Sequence, residues 1–135
     1  MIKRVLSIVA GSIAALFIIG GLEQVLPLIY PGVPSHVNWN DKKAVAEMMT
    51  GMPLGGFIWL LLTYILGCFC GGFVAGLIAE KKRREMSMII GVIVLVGGIV
   101  NFAMISHPAW FVAVALILYI PAAYSGGVVV NRIKR

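Results

Sequence analysis

Long apolar stretches alternate with short polar breaks along this chain. Four segments, at about 5–26, 54–79, 86–105 and 109–130, stay apolar for 20 residues or more. The hydrocarbon core of a bilayer takes about 20 helical residues to cross, so each segment predicts a transmembrane helix. The sharpest break is Glu80-Lys81-Lys82-Arg83-Arg84-Glu85, the only dense charge run between two apolar stretches. Four consecutive cations are not stable in hydrocarbon, so one helix leaves the membrane here and the next enters.

Within the first segment Ser7, Gly11 and Ala15 recur at four-residue spacing, a stripe that lets another helix come close. Pro27 and Pro31 end that helix. The region 30–52 is the one sizeable loop. Pro31-Gly32-Val33-Pro34 forbids regular helix, and Asn38, Asn40 and Asp41 are good cap residues for a short helix over 42–50. Val45, Met48, Met49 and Met52 would share its apolar face, with Lys43 and Glu47 on a wetter one. Such a helix would lie on the membrane surface or over the mouth of the bundle; the alternative is a loop without regular structure.

The second segment carries Gly67, Gly71, Gly72, Ala75, Gly76 and Ala79, including the small-xxx-small pairs Gly67/Gly71 and Gly72/Gly76. Lipid tails are as apolar as the helices, so close backbone contact drives association, and this helix is expected to be the packing centre. Gly91 and Gly98 offer similar surfaces on the third segment. Ser106-His107-Pro108 makes a very short turn, and Pro108 sits where the first turn of the fourth helix tolerates it. Pro121, well inside that helix, is expected to kink it or free a carbonyl. Gly126-Gly127 allows its end to pack closely. The expected fold is all-α: one integral membrane domain over 1–135, a four-helix transmembrane bundle with a short surface helix in the first outer loop.

Composition agrees. The chain is 61% apolar and 12% charged, which excludes an ordinary soluble domain. The net charge of +6 does not point to nucleic acid, because the cations sit at segment ends. Nine of them (Lys3, Arg4, Lys81, Lys82, Arg83, Arg84, Arg132, Lys134 and Arg135) fall on one side of the threaded topology, against Lys42 and Lys43 on the other. The positive-inside rule makes the first side cytoplasmic, with both termini facing in. Trp59 and Trp110 then fall near the outer interface as anchors. Met1-Ile2-Lys3-Arg4 before an apolar run has the flavour of a signal peptide, but the run is long and no small-x-small cleavage site follows, so it reads as a retained first helix. Cys68 and Cys70 are two apart on a helix, unsuited to a disulfide or a metal, and read as packing residues.

Candidate chemistry is sparse. Glu23 is the only acid within a membrane segment. It lies 18 residues after Val5, about 27 Å along a helix rising 1.5 Å per residue. Asn101 lies 15 residues beyond Met86, about 22 Å by the same measure. Glu23, Gln24, Asn101 and His107 therefore share the outer third of the bilayer and form a candidate polar pocket. In it Glu23 would bind a proton or cation, Asn101 would hydrogen-bond it, and His107 would be a second titrating group. The structural alternative leaves Glu23 protonated or snorkelling outward, with Asn101 tying two helices together. A metal site would need Glu23, His107 and His36 to converge. No catalytic nucleophile with its base and no phosphate-binding loop is recognisable, and no cofactor is expected.

Glu23 before a proline-rich exit, Pro53-Leu54-Gly55, Leu66-Gly67 with Gly71-Gly72 and Ala75, Asn101, His107-Pro108 with Trp110, and Pro121 together resemble a set of small bacterial four-span membrane proteins of no assigned activity. The resemblance covers nearly the whole chain. It implies four helices and a bacterial cytoplasmic membrane, and no substrate. Small multidrug transporters also have four short helices and a glutamate in the first, but here Glu23 sits near the outer end and the first loop is long, so the likeness is architectural. Three functions follow. The first is a structural or accessory protein, not an enzyme, acting through helix association with itself or a larger membrane complex. The second is a small proton- or cation-linked transporter or channel using Glu23. The third is an enzyme acting on a lipid or quinone at the outer interface.

Overall fold

The computed structural model describes residues 1–30, 38, 40–105 and 107–134. The Pro31-Gly32-Val33-Pro34 stretch, His36, Ser106 and Arg135 lie outside the described residues. Among those described, the chain forms six helices: α1 (Ile2–Glu23), α2 (Leu26–Ile29), α3 (Lys42–Gly51), α4 (Leu54–Ile78), α5 (Arg83–Met104) and α6 (Ala109–Ile133). Four of the helical stretches are long and apolar enough to cross a membrane, with α1 and α2 together forming the first. The protein is an all-α bundle with the make-up of a small integral membrane protein. Successive spans run in opposite directions, so α4 and α6 are parallel to each other and antiparallel to α1 and α5.

Three boundaries differ from the sequence expectation. Helix one was expected as a single helix over 5–26; it starts at Ile2, ends at Glu23, and resumes as the one-turn α2. Pro27 is the cause. It has no N–H to give the Glu23 carbonyl, and its ring crowds that carbonyl, so the regular ladder stops there. Helix three starts at Arg83 rather than 86, because Lys82 turns the chain in the left-handed conformation (φ 57°) and the helix can begin in the polar layer. Helix four extends to Ile133 and runs through Pro121 without a break in the helix. The surface helix is α3. Asp41 caps it by accepting from the Lys43 and Ala44 amides, at 3.1 and 3.3 Å. Val45 and Met52 are buried and Met48 and Met49 half-buried, while Lys43 and Glu47 face out.

The bundle is organised around α4, which lies between α1 and α6 and also touches α5. Its mean composition is apolar on every side, yet its two small-residue faces have different partners. One meets α1. A Cβ added at Gly71 would stand 2.8 Å from both the Gly11 carbonyl oxygen and the Ala15 Cβ, and one added at Gly11 would stand 2.7 Å from the Gly71 carbonyl oxygen. Ser7, Gly11 and Ala15 are the buried residues of α1. The other face meets α6, where Gly72 lies against the Ala123 backbone and Gly126 against the backbone of Phe69 and Phe73. Gly76 faces Gly127 and Val130. On α5, Gly91 packs on the Ile120 backbone and Gly98 on the Tyr119 ring. These approaches bring backbone to backbone, where dispersion contacts are densest.

The two ends are closed differently. At the charged end, Arg83 donates to the Gly76 carbonyl (2.6 Å), one of the carbonyls that α4 cannot satisfy itself. The Ser87 hydroxyl, fully buried, donates to the Gly72 carbonyl (2.6 Å), with the Arg83 carbonyl at 2.9 Å sharing the same proton. Lys3 pairs with Glu80, which ties the N-terminus to the α4–α5 turn and holds the Glu80 carboxyl below the usual carboxylate range. This pair is exposed and adds little stability. At the loop end, a core of Leu26, Met52, Phe57, Leu60, Tyr64, Phe111 and Tyr119 fills the space between α4 and α6.

Overpacking a close backbone contact typically costs about 1–3 kcal/mol. Gly71→Leu is therefore expected to lower stability by about 2 kcal/mol in detergent unfolding, or to prevent folding. Gly97→Leu, at a glycine with nothing within 4 Å, is expected to leave it unchanged.

Candidate functional site

Glu23 is the last residue of α1. Three features set its position. The Gly11 and Ala15 contacts with α4 fix the register of the two helices. The Trp59 indole of α4 donates to the Leu22 carbonyl at 3.0 Å, pinning the end of α1 one residue before Glu23. Pro27 then interrupts the helix, so the Glu23 backbone sits at a break rather than in a closed ladder. The carboxyl is half-buried, and the Tyr64 hydroxyl of α4 is turned toward it in an approach looser than a closed hydrogen bond. Tyr119 of α6 lies close enough to both to be felt electrostatically, and the buried Cys68 thiol adjoins Tyr119.

The cluster therefore draws on three helices: Glu23 from α1, Tyr64 and Cys68 from α4, and Tyr119 from α6, with Gly98 of α5 against the Tyr119 ring. It contains no cation. Among the described residues the ion pairs are Lys3–Glu80 and Lys82–Glu85, and neither involves Glu23. A carboxylate in hydrocarbon normally answers to a cation or to water; here its visible neighbours are phenols. Phenols can hydrogen-bond a carboxyl in either protonation state, so the arrangement accommodates gain and loss of a proton.

The other candidates lie apart from this cluster. Gln24 is exposed and begins the break after α1. Asn101 is half-buried in the last turn of α5, where its carbonyl accepts the Ile105 amide at 2.8 Å. His107 is half-buried in the α5–α6 turn. Its Nδ1 meets the Ile105 carbonyl at 2.9 Å, its ring stacks on Phe111 (centroids 5.4 Å, planes 11° apart) and Phe102 meets it edge-on at 4.8 Å. Among the described residues no hydrogen bond joins Glu23 to Asn101 or His107. The chain of contacts from His107 to Glu23 passes through Phe111 and Tyr64, whose rings are 6.1 Å apart. Tyr64 in turn meets Tyr119 at 6.0 Å. Trp110 is partly exposed at the loop end, edge-on to Phe57 at 6.1 Å, and Trp59 is half-buried against α1. His36, the third member of the metal reading, lies outside the described residues. Among the described residues no group of three or more metal-ligating side chains converges.

Tyr64 and Tyr119 are not among the candidates that the sequence analysis selects. A signal for Tyr64 was available in depth. It stands 15 residues before Ala79, about 22 Å above the charged end by the same rise that places Asn101. Depth could not choose between them; the helix faces do.

No family model, curated protein or solved structure matches this chain.

Burial lowers the affinity of His107 for a proton, outweighing the opposite pull of the Ile105 carbonyl. Its folded pKa is below the unfolded value of 6.5, so the unfolded state binds more protons as pH falls through that value. Stability is expected to drop as pH falls through about 6.5, the unfolded value, and His107→Gln to flatten this part of the profile in denaturant titrations at each pH.

Proposed function

We propose that this small integral membrane protein is a proton- or cation-linked carrier or channel in which Glu23 is the exchanging group. The observation that carries the reading is a half-buried carboxyl facing the Tyr64 phenol with no ion-pair partner among the described residues. Tyr64 steadies the carboxyl, Tyr119 backs Tyr64, and the break at Pro27 leaves the segment around Glu23 free to adjust without opening the packed part of α1. Asn101 and His107 lie toward the same mouth of the bundle, Asn101 at a height similar to that of Glu23 and His107 at the turn. The charged end faces the cytoplasm by the positive-inside rule, so Glu23 exchanges with the outer side. Four helices enclose little volume, and the transport path is expected to form between copies of the chain.

A structural or accessory role through helix association is the second reading. It is favoured by Gly20, Gly21 and Gly97, which have nothing within 4 Å, and by the exposed apolar face of α5. The glycines of α4 do not add to it, because their faces are already taken up by α1 and α6. An enzyme of lipid or quinone would need Glu23 and His107 on one molecule, with Phe111 and Tyr64 along the path between them.

Reconstituted in liposomes holding a pH-sensitive dye, the wild type is expected to dissipate an imposed proton gradient with a pH-dependent rate, and Glu23→Gln to reduce that rate at least tenfold. A Glu23→Gln flux equal to wild type removes Glu23 from the mechanism. Orientation is tested separately. A cysteine placed at Asn40 should react with an impermeant thiol reagent in intact cells, and one placed at Lys134 only after lysis.

A further inference from the structure

A pocket of about 420 Å³ opens at the charged end, between the α4–α5 turn and the end of α6. Glu80, Lys82, Arg83, Arg84, Glu85 and Asn131 line it. Both carboxylates already have partners: Lys3 holds Glu80, and Lys82 holds Glu85 at 3.3 Å. Arg83 spends one nitrogen on the Gly76 carbonyl, which fixes its guanidinium at the pocket wall. Arg84 is exposed and makes no ion pair among the described residues. With Lys3 on Glu80 and Lys82 on Glu85, the charges left over at the pocket are the Arg83 and Arg84 guanidinium groups, and the Asn131 amide adds neutral donors.

The surface running away from this pocket is apolar. Met88, Val92 and Val96 follow Arg84 at four-residue intervals on α5, and all are exposed. From Met88 to Val96 is eight residues, about 12 Å of helix, against about 15 Å for half of the hydrocarbon core. The charged pocket thus lies at the head of an apolar strip that runs through most of one leaflet.

We propose that this pocket binds the headgroup of a singly anionic phospholipid, with its phosphodiester on Arg84, Arg83 and Asn131 and an acyl chain along Met88, Val92 and Val96. The negative phosphodiester is complementary to the two guanidinium groups left without a carboxylate. The planar guanidinium forks suit phosphate oxygens. The strip favours a lipid over a free anion, since inorganic phosphate gains nothing from it. The site lies at the opposite end of the bundle from Glu23 and does not depend on proton exchange there.

The test is thermal unfolding of the full chain in a neutral detergent, titrated with short-chain phosphatidylglycerol, short-chain phosphatidylcholine or inorganic phosphate. Phosphatidylglycerol is expected to stabilise the wild type, and phosphatidylcholine and phosphate to do so far less. Arg84→Gln should raise the half-maximal phosphatidylglycerol concentration about fivefold, the worth of one cation near an anionic lipid. Asn131→Ala should raise it as well, and Arg132→Gln, a cation at the same end but outside the pocket, should not. Equal stabilisation by inorganic phosphate or phosphatidylcholine overturns the proposal, as does a loss in Arg132→Gln equal to that in Arg84→Gln, or no change in Arg84→Gln.

Discussion

Backbone contact along α4 is the constraint on which the rest of the structure depends. In hydrocarbon there is no water to expel from between apolar helices, so association rests on how closely the chains approach. α4 meets this with glycines on two faces rather than one. Gly67 and Gly71 admit Ala15 and Gly11 of α1, while Gly72 and Gly76 admit Ala123 and Gly127 of α6. The outward faces of α1 and α5 can then stay covered in exposed Val, Leu, Ile and Phe side chains. In water that exposure would be destabilising; in lipid it is the expected surface.

The same contacts determine where chemistry can occur. With Gly11 against Gly71 and Ile19 against Gly67, the antiparallel register of α1 and α4 is set before Glu23 is reached. Trp59 on Leu22 continues that register, and Glu23 arrives opposite Tyr64. α6 lies parallel to α4 and brings the Phe111 and Tyr119 rings, about two turns apart, against the Tyr64 ring. Glu23 thus owes its neighbours to packing more than a turn away. The charged end is built on another principle, side chains that bond to backbone carbonyls: Arg83 on the spare Gly76 carbonyl and Ser87 as a further donor to Gly72. These bonds join α5 to α4 where the chain has just made a left-handed turn at Lys82.

Much of the fold was legible because membrane helices announce themselves by length and by where charges stop them. Four spans, the capped helix after Asp41 and the small stripe Ser7, Gly11 and Ala15 all follow from spacing alone. Helix ends were less legible. Arg83, Arg84 and Glu85 repel hydrocarbon but not the helical conformation, so α5 starts in the polar layer before the apolar run does. Pro27 marked an end, yet the chain takes one more turn after it. The site was legible only in depth. Rise per residue places Glu23, Asn101 and Tyr64 at similar heights, but which of them face one another depends on rotations set by Gly11, Gly71 and Gly72. Tyr64 was passed over for that reason, and because a phenol in an aromatic cluster looks like packing until a carboxyl is found opposite it.

The central claim is that Glu23 exchanges a proton beside Tyr64. It is tested most directly by infrared difference spectroscopy of the protein in lipid bilayers as the outer pH is stepped. The account predicts a carboxyl C=O band that grows as pH falls, is absent in Glu23→Gln, and shifts in frequency in Tyr64→Phe. A band that is unchanged in Tyr64→Phe, or no titrating band that Glu23→Gln removes, would contradict it.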